Sequence, residues 1–253
     1  MVIDMVYTPM NVVELNSLAV LQMRQQQFGQ ALSTLQTAVV VLEEIYRTNM
    51  IGCHQPNKKR RRLSSGESVS SDTEDDAVGV VQSVQVLDEK AQAKLVSNSA
   101  VPNDDVLLFY DRAFTFQNFQ NIDFELSENK SSLSGMILFN LGLVQHILAI
   151  KSGSSSHMFQ ALRFYRLAHV SLEQVKDVVS MEVHILLLMG LINNMGHIHA
   201  CLFHREQTQS CIDWLRRAVI SKQGAVLDVV DHDFFYSNLQ SLPSDLYKFA
   251  PAA

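Results

Sequence analysis

Glycine and proline are scarce in this 253-residue chain, at ten and five residues. A turn-rich all-β protein would need more of both, so the composition favours helices. Cysteine is scarcer still. Cys53, Cys201 and Cys211 are odd in number and lack a C-x-x-C spacing, which argues against a disulfide framework and for a reducing, intracellular compartment, nucleus or cytoplasm. Basic surplus is absent, because 20 Lys+Arg against 26 Asp+Glu leave a formal charge of −6. Such a chain is a poor global binder of nucleic acid or of an anionic membrane surface. The longest apolar run, residues 185–192, is broken by Gly190 and falls far short of the ~18 residues a membrane span needs. The start, Met1-Val2-Ile3-Asp4, has neither the basic region nor the apolar stretch of a signal peptide. Catalytic signatures are missing too: there is no G-x-S-x-G, no cysteine-nucleophile motif and no glycine-rich phosphate loop. The expectation is a soluble non-enzyme with no cofactor.

What is present is helical periodicity in two blocks around a charged insert, with 47% of the chain hydrophobic. In residues 1–51, Val13, Leu15, Leu18, Leu21 and Phe28, then Ala31, Leu32, Leu35, Ala38, Val39, Leu42 and Ile45, recur by threes and fours. Gln25–Gln27 and Gly29 mark a break between two helices. Residues 131–223 read as two more helix pairs. One is divided at Gly153-Ser154-Ser155-Ser156, with Ser156 as N-cap, and the other at the polar patch 204–209. Residues 225–236 and 237–246 read as a further helix and a short capping one within 224–253, with Asp228, Asp231, Asp233 and Asp245 as a polar outer face. The insert, 52–104, holds 7 Lys+Arg and 8 Asp+Glu. Its segments 53–77 and 90–103 cannot bury enough apolar surface to offset the entropy of ordering. Within it and the connection 105–130, the β-branched run 80–87 and the aliphatic–aromatic run 106–116 suit a two-stranded ribbon packed on the helices. A short helix over 106–118 is the alternative.

The helix pairs align on one another. The second helices read Ala31-Leu32-x-x-Leu35-x-x-Ala38, Ala161-Leu162-x-x-Tyr165-x-x-Ala168 and Cys211-Ile212-x-x-Leu215-x-x-Ala218. The first helices read Leu15-x-x-Leu18-Ala19, Leu138-x-x-Leu141-Gly142 and Ile192-x-x-Met195-Gly196. Small residues seven apart share one face and admit a close neighbour. The separation between the first small residues of each pair is 12, 19 and 15, which places the extra residues in the turns. The pattern resembles a degenerate tetratricopeptide repeat (TPR), without the signature aromatic after the glycine and without a closing proline. Asn140 to Gly142, the run Asn-Asn-Met-Gly-His-Ile-His and the Gly-Ser-Ser-Ser turn also resemble uncharacterised TPR-like families expanded in diatoms, which carry no assigned activity. The resemblance implies an all-α solenoid that binds a protein or peptide partner in a groove lined by first helices. Its groove positions here are Asn16, Val20, Met23 and Arg24, then Phe139, Asn140, Leu143, His146 and Ile147, then Asn193, His197, Ala200 and Cys201. Apart from Arg24 they are apolar to neutral, which favours an apolar extended segment or amphipathic helix held through backbone hydrogen bonds to asparagine. The opposing reading makes Phe139, Leu143 and Ile147 core, shielded by residues 106–124.

Two further features stand apart. On a continuous helix His197, Cys201 and His204 share a face at i, i+4 and i+7, and His146 could join them. That face is the basis of an alternative, metal-dependent or catalytic protein, although a structural zinc needs four ligands and no fourth is local. In the insert, Lys58, Lys59, Arg60, Arg61 and Arg62 follow Pro56 and resemble a monopartite nuclear import signal. Ser64 after Arg61-Arg62-Leu63 resembles a basophilic kinase site, and Ser71 and Thr73 resemble acidophilic ones. A phosphate there adds about −1.5 to −2 charges and opposes the basic run.

Overall fold

A computed structural model describes residues 11–52, 81–88, 90–92, 107–116, 127–173, 178–220 and 229–242. The basic run 58–62, Ser64, Ser71, Thr73 and the segments 53–77 and 93–103 lie outside the described residues. The described residues are mostly helical, with one small sheet. In chain order the elements are α1 (Val12–Arg24), α2 (Phe28–Gly52), β1 (Val81–Gln85), β2 (Arg112–Phe116), α3 (Ser127–Ser152), α4 (Ser155–Glu173), α5 (Val178–Cys201), α6 (Arg205–Ile220) and α7 (Val229–Gln240).

Local chemistry sets the helix ends. Asn11 caps α1 in a reciprocal box: its side chain accepts from the Glu14 N–H, and the Glu14 carboxylate accepts from the Asn11 N–H, both at 2.9 Å. At the other end Gln26 takes a left-handed φ of 60°, and the Gln27 N–H reaches back to the Gln22 carbonyl at 2.9 Å. The end of α5 repeats this motif, with Phe203 at φ 59° and the His204 N–H on the His199 carbonyl at 2.8 Å. Gly153, at φ 67°, holds the same place between α3 and α4. Each left-handed residue stands two positions before the next helix begins.

Those turns correct several expectations. The break between α1 and α2 is confined to 25–27, and Gly29 lies inside the first turn of α2. Helix α4 begins at Ser155, so Ser156 is already within it rather than capping it. The turns have nearly equal lengths. The extra residues of the longer pairs extend the helices instead, because α3 runs ten residues past Gly142 where α1 runs five past Ala19. A single helix, 229–240, crosses the expected boundary at 236/237, and Asp231 is fully buried rather than on a polar outer face. Residues 90–92 form a helical turn started by Asp88, whose carboxylate accepts from the Ala91 N–H at 2.6 Å.

Successive helices pack on one another: α1 on α2, α2 on α3, α3 on α4, α4 on α5, α5 on α6 and α6 on α7. The small residues sit at those contacts. A Cβ built on Gly142 would lie 2.6 Å from the Tyr165 ring, and one on Gly196 would lie 3.0 Å from Cys211 Cβ. The ribbon expectation holds over five residues. β1 and β2 are antiparallel with Val81 opposite Phe116 and Gln85 opposite Arg112, so the helical alternative for 106–118 does not apply to residues 107–116. Lys130–Ser152 of α3 is long and apolar enough to cross a membrane, but 83% of its most apolar window is buried inside the protein. A core helix passes that test as readily as a spanning one.

Candidate functional site

The strand β2 and the extended residues before it, 107–111, run across the first helices of the pairs. We call residues 107–116 the strap. Its two backbone edges have different partners. Along one edge β2 pairs with β1, and the Val86 N–H continues the contact to the Asp111 carbonyl at 3.2 Å. Along the other edge the partners are asparagine side chains. A carboxamide carries the same donor and acceptor as a peptide group, so it can replace a neighbouring strand one residue at a time.

Three junctions do this. At the first, Asn140 of α3 accepts from the Phe114 N–H at 3.0 Å and donates to its carbonyl at 2.8 Å, while Asn16 of α1 donates to the same carbonyl at 3.0 Å. Asn140 also donates to Asn16 Oδ1 at 2.8 Å. At the second, Asn194 of α5 accepts from the Tyr110 N–H and donates to the Tyr110 carbonyl, both at 2.9 Å, and donates to the Tyr165 hydroxyl at 3.2 Å. At the third, Asn238 of α7 accepts from the Leu108 N–H at 2.8 Å, Asn193 of α5 donates to the Leu108 carbonyl at 2.8 Å, and Asn238 donates to Asn193 Oδ1 at 2.7 Å. Asn140 and Asn194 each stand two residues before the glycine of their pair, and Asn16 and Asn193 stand three before the small residue of theirs. From Phe114 to Leu108 is six residues, roughly 20 Å of extended chain, which matches two steps of about 10 Å between packed helices.

Side chains of the strap fill the spaces the helices leave. Tyr110 stacks on Phe235 at 5.1 Å between ring centroids and fits where Gly190 has no side chain. Phe114 meets Phe139 edge-on at 4.8 Å, and Leu107 lies over Gly196. One charged cluster joins the strap to α7. Asp231 of α7, fully buried, accepts from the Tyr110 hydroxyl at 2.8 Å and the Ser83 hydroxyl at 2.6 Å, and lies 3.2 Å from Arg112 Nε. Burial, and then the Asp231 charge, raise the Tyr110 hydroxyl well above its ordinary range, so it stays protonated and donates.

The sequence-expected groove residues fall into three groups. Asn16, Asn140 and Asn193 hold the strap. Phe139, Leu143 and Ile147 are buried core, as the opposing reading had it; Val20 and Met23, expected in the groove, are buried as well, and Arg24 is exposed at the end of α1. His146 and His197 form a buried pair with Nε2 and Nδ1 3.0 Å apart, and Phe109 of the strap lies edge-on to His146 at 4.5 Å. Burial holds His197 down to about 4; burial and then its neighbour hold His146 well below its usual range. Both rings are therefore neutral and share a single hydrogen bond.

The expected His197/Cys201/His204 face does not assemble, because α5 ends at Cys201 and the chain reverses at Phe203. Cys201 Sγ lies 3.9 Å from His197 Nδ1, whereas His204 turns to His199 at 3.1 Å. Burial raises the Cys201 thiol to about 11, which keeps it protonated. Ala200 is half-buried.

Asn194, Asn238, Asp231 and the strap itself were missed as site residues. The offset of Asn140 from Gly142 recurs in Asn194 and Gly196 and was sufficient to find Asn194. No repeat pattern marked Asn238, because α7 lacks the small-residue signature. Fold and site together define a protein of packed helical hairpins that holds an extended strand across its first helices through asparagine side chains. No family model, curated protein or solved structure matches the chain.

Proposed function

We propose that this chain is a non-enzymatic, TPR-like α-solenoid that serves as a protein-interaction scaffold, and that its groove recognises extended main chain. The observation that carries this reading is the asparagine ladder, which places a carboxamide at the backbone of Phe114, Tyr110 and Leu108. Recognition of that kind depends on extension and on apolar side chains at a few positions rather than on a full sequence. Helix pairs packed in succession, with left-handed residues at equivalent turns, support the solenoid. The insert adds an import signal at Lys58–Arg62 modulated by phosphate at Ser64, Ser71 or Thr73. A reporter carrying 52–77 that stays evenly distributed would exclude this signal.

The groove is tested with the full chain carrying Tyr110→Ala and Phe114→Ala, which weakens its own strap. A fluorescein-labelled peptide of residues 107–116 is expected to bind it saturably and raise its melting temperature through linkage. Adding Asn140→Ala and Asn194→Ala is expected to remove that binding. A folded double variant that takes up no peptide refutes the groove.

A further inference from the structure

Asp111 is the misfit of the strap. It is 4% exposed, and its Oδ2 has no hydrogen-bond partner among the described residues. Its neighbours in the strap contrast with it: Tyr110 and Phe114 fill cavities lined by aromatic rings, and their backbones are fully clamped. A buried carboxylate oxygen without a partner opposes docking, since the charged form loses its water and recovers only part of that from a backbone hydrogen bond and the Arg112 charge. Arg112, next along the chain, does not cancel this. Its guanidinium is directed to the other side of the strap, donating to the Ser83 hydroxyl at 2.8 Å and the Ser83 carbonyl at 3.3 Å and facing Asp231 at 3.2 Å. The same desolvation raises the Asp111 carboxyl to about 6.

We infer that the strap is a deliberately imperfect internal ligand, and that the groove exchanges it for an extended segment of a partner protein carrying an uncharged residue where the strap has Asp111. The inference rests on the main-chain reading of the groove proposed above. The partner's chemistry follows from the positions that are buried: bulky apolar or aromatic side chains aligned with Leu107, Tyr110 and Phe114, and a small one aligned with Ala113. Leu108 is 42% exposed, so that position is free. Proline is excluded where Leu108, Tyr110 and Phe114 donate their N–H groups. Tethering favours the strap, because a covalently linked segment acts at an effective concentration on the order of mM. A competitor must overcome that advantage, and removing the buried charge supplies the means.

The probe is a labelled peptide of residues 107–116 carrying Asp111→Asn, titrated into the unmodified full chain at pH 7 beside the same peptide with Asp111 retained. The Asn peptide is expected to bind at least ~10-fold more tightly. Strap release is read separately by trypsin: Arg112, held in β2, becomes cleavable as the Asn peptide is added. A peptide N-methylated at the nitrogens of Tyr110 and Phe114 is expected to do neither. Equal affinity of the Asn and Asp peptides, or binding without cleavage at Arg112, overturns the inference. If the strap-weakened chain binds peptide while the unmodified chain never exchanges, the groove reading stands and the exchange fails. If neither binds, both fail. A concentration-dependent dimer that protects Arg112 would assign the groove to a second copy of this chain and overturn the assignment to a partner.

Discussion

Asn194→Ala removes the central clamp of the strap. The side chain holds the N–H and the carbonyl of Tyr110 at 2.9 Å each and supports the Tyr165 hydroxyl at 3.2 Å. Tyr110, Tyr165 and Asn194 are all fully buried, so water cannot replace the lost partner without opening the groove. Each unsatisfied buried group costs about 1–3 kcal/mol. The Tyr165 hydroxyl keeps His146 Nδ1 at 3.4 Å, so two backbone groups and a hydroxyl near the lower end of that range place the loss at roughly 3–5 kcal/mol, against a typical total stability of about 5–15 kcal/mol. In thermal terms that is a fall of roughly 10 °C, at about 2–4 °C per kcal/mol for a chain of this size. Urea titration followed by circular dichroism measures it, and Asn194→Leu separates hydrogen bonding from volume, since it fills the space but cannot pair. Both variants are expected to lose similar stability. Asn193→Ala is the internal comparison. It deprives the carbonyl of the partly exposed Leu108 of one donor and Asn238 Nδ2 of one acceptor, but Asn238 Nδ2 keeps that same carbonyl at 3.4 Å, so its expected loss is smaller, about 1–2 kcal/mol. Should Asn194→Ala cost no more than Asn193→Ala, the clamp does not carry the strap and the reasoning fails.

Other perturbations test the surrounding parts. Asp231→Ala strips the acceptor from the Ser83 and Tyr110 hydroxyls and the anion from Arg112; a loss of roughly 3–5 kcal/mol is expected by urea titration, and near-neutrality would show that this cluster does not fasten the strap to α7. Gly142→Ala puts a Cβ 2.6 Å from the Tyr165 ring and should destabilise by about 1–2 kcal/mol, overpacking outweighing the gain in helix propensity. Gly29→Ala meets nothing within 4 Å and should stabilise by up to about 1 kcal/mol; opposite signs by calorimetry are the check. The histidine pair sets a pH dependence. The pKa of His197 is depressed to about 4 in the folded chain, so the unfolded chain binds more protons between about 6.5 and 4, and stability falls as pH falls through that window. From pH 6.5 to 5 His197 contributes a loss of roughly 2 kcal/mol. The raised pKa of Asp111, about 6, works in the opposite direction over 6 to 4 and offsets part of it. His197→Asn should therefore flatten the acid side of the stability profile, and an unchanged slope contradicts a neutral buried pair.

The legible part of this fold was carried by short-range pattern. The threes and fours of Leu, Val and Ala placed α1 to α6, and the small residues Gly142 and Gly196 identified contacts the structure contains. Helix ends were less legible, because Gln26 and Phe203 take left-handed conformations that their side chains do not advertise, and only Gly153 signals its turn. The ribbon was visible in the β-branched and aromatic runs, yet its location was not: that β2 lies against the asparagines follows from contacts about a hundred residues apart, such as Asn16 to Phe114. Asn16, Asn140 and Asn193 were recognisable as backbone-reading residues from their repeat positions. Their ligand being the chain's own strap was not, since apolar groove and apolar core look alike in sequence until the covering segment is placed. Asp231 illustrates the same limit. An acidic residue near a terminus reads as solvated until Arg112, Ser83 and Tyr110 are brought around it.

Amide hydrogen exchange of the unmodified chain, resolved residue by residue over 107–116, tests the main-chain clamp most directly. The amides of Leu108, Tyr110 and Phe114 are expected to exchange only through opening of the whole groove, ~10³-fold or more slower than an unstructured peptide, and the Tyr110 amide should accelerate selectively in Asn194→Ala. Exchange of these amides within about tenfold of the unstructured rate would show that the asparagines do not hold the strap, and would contradict the account.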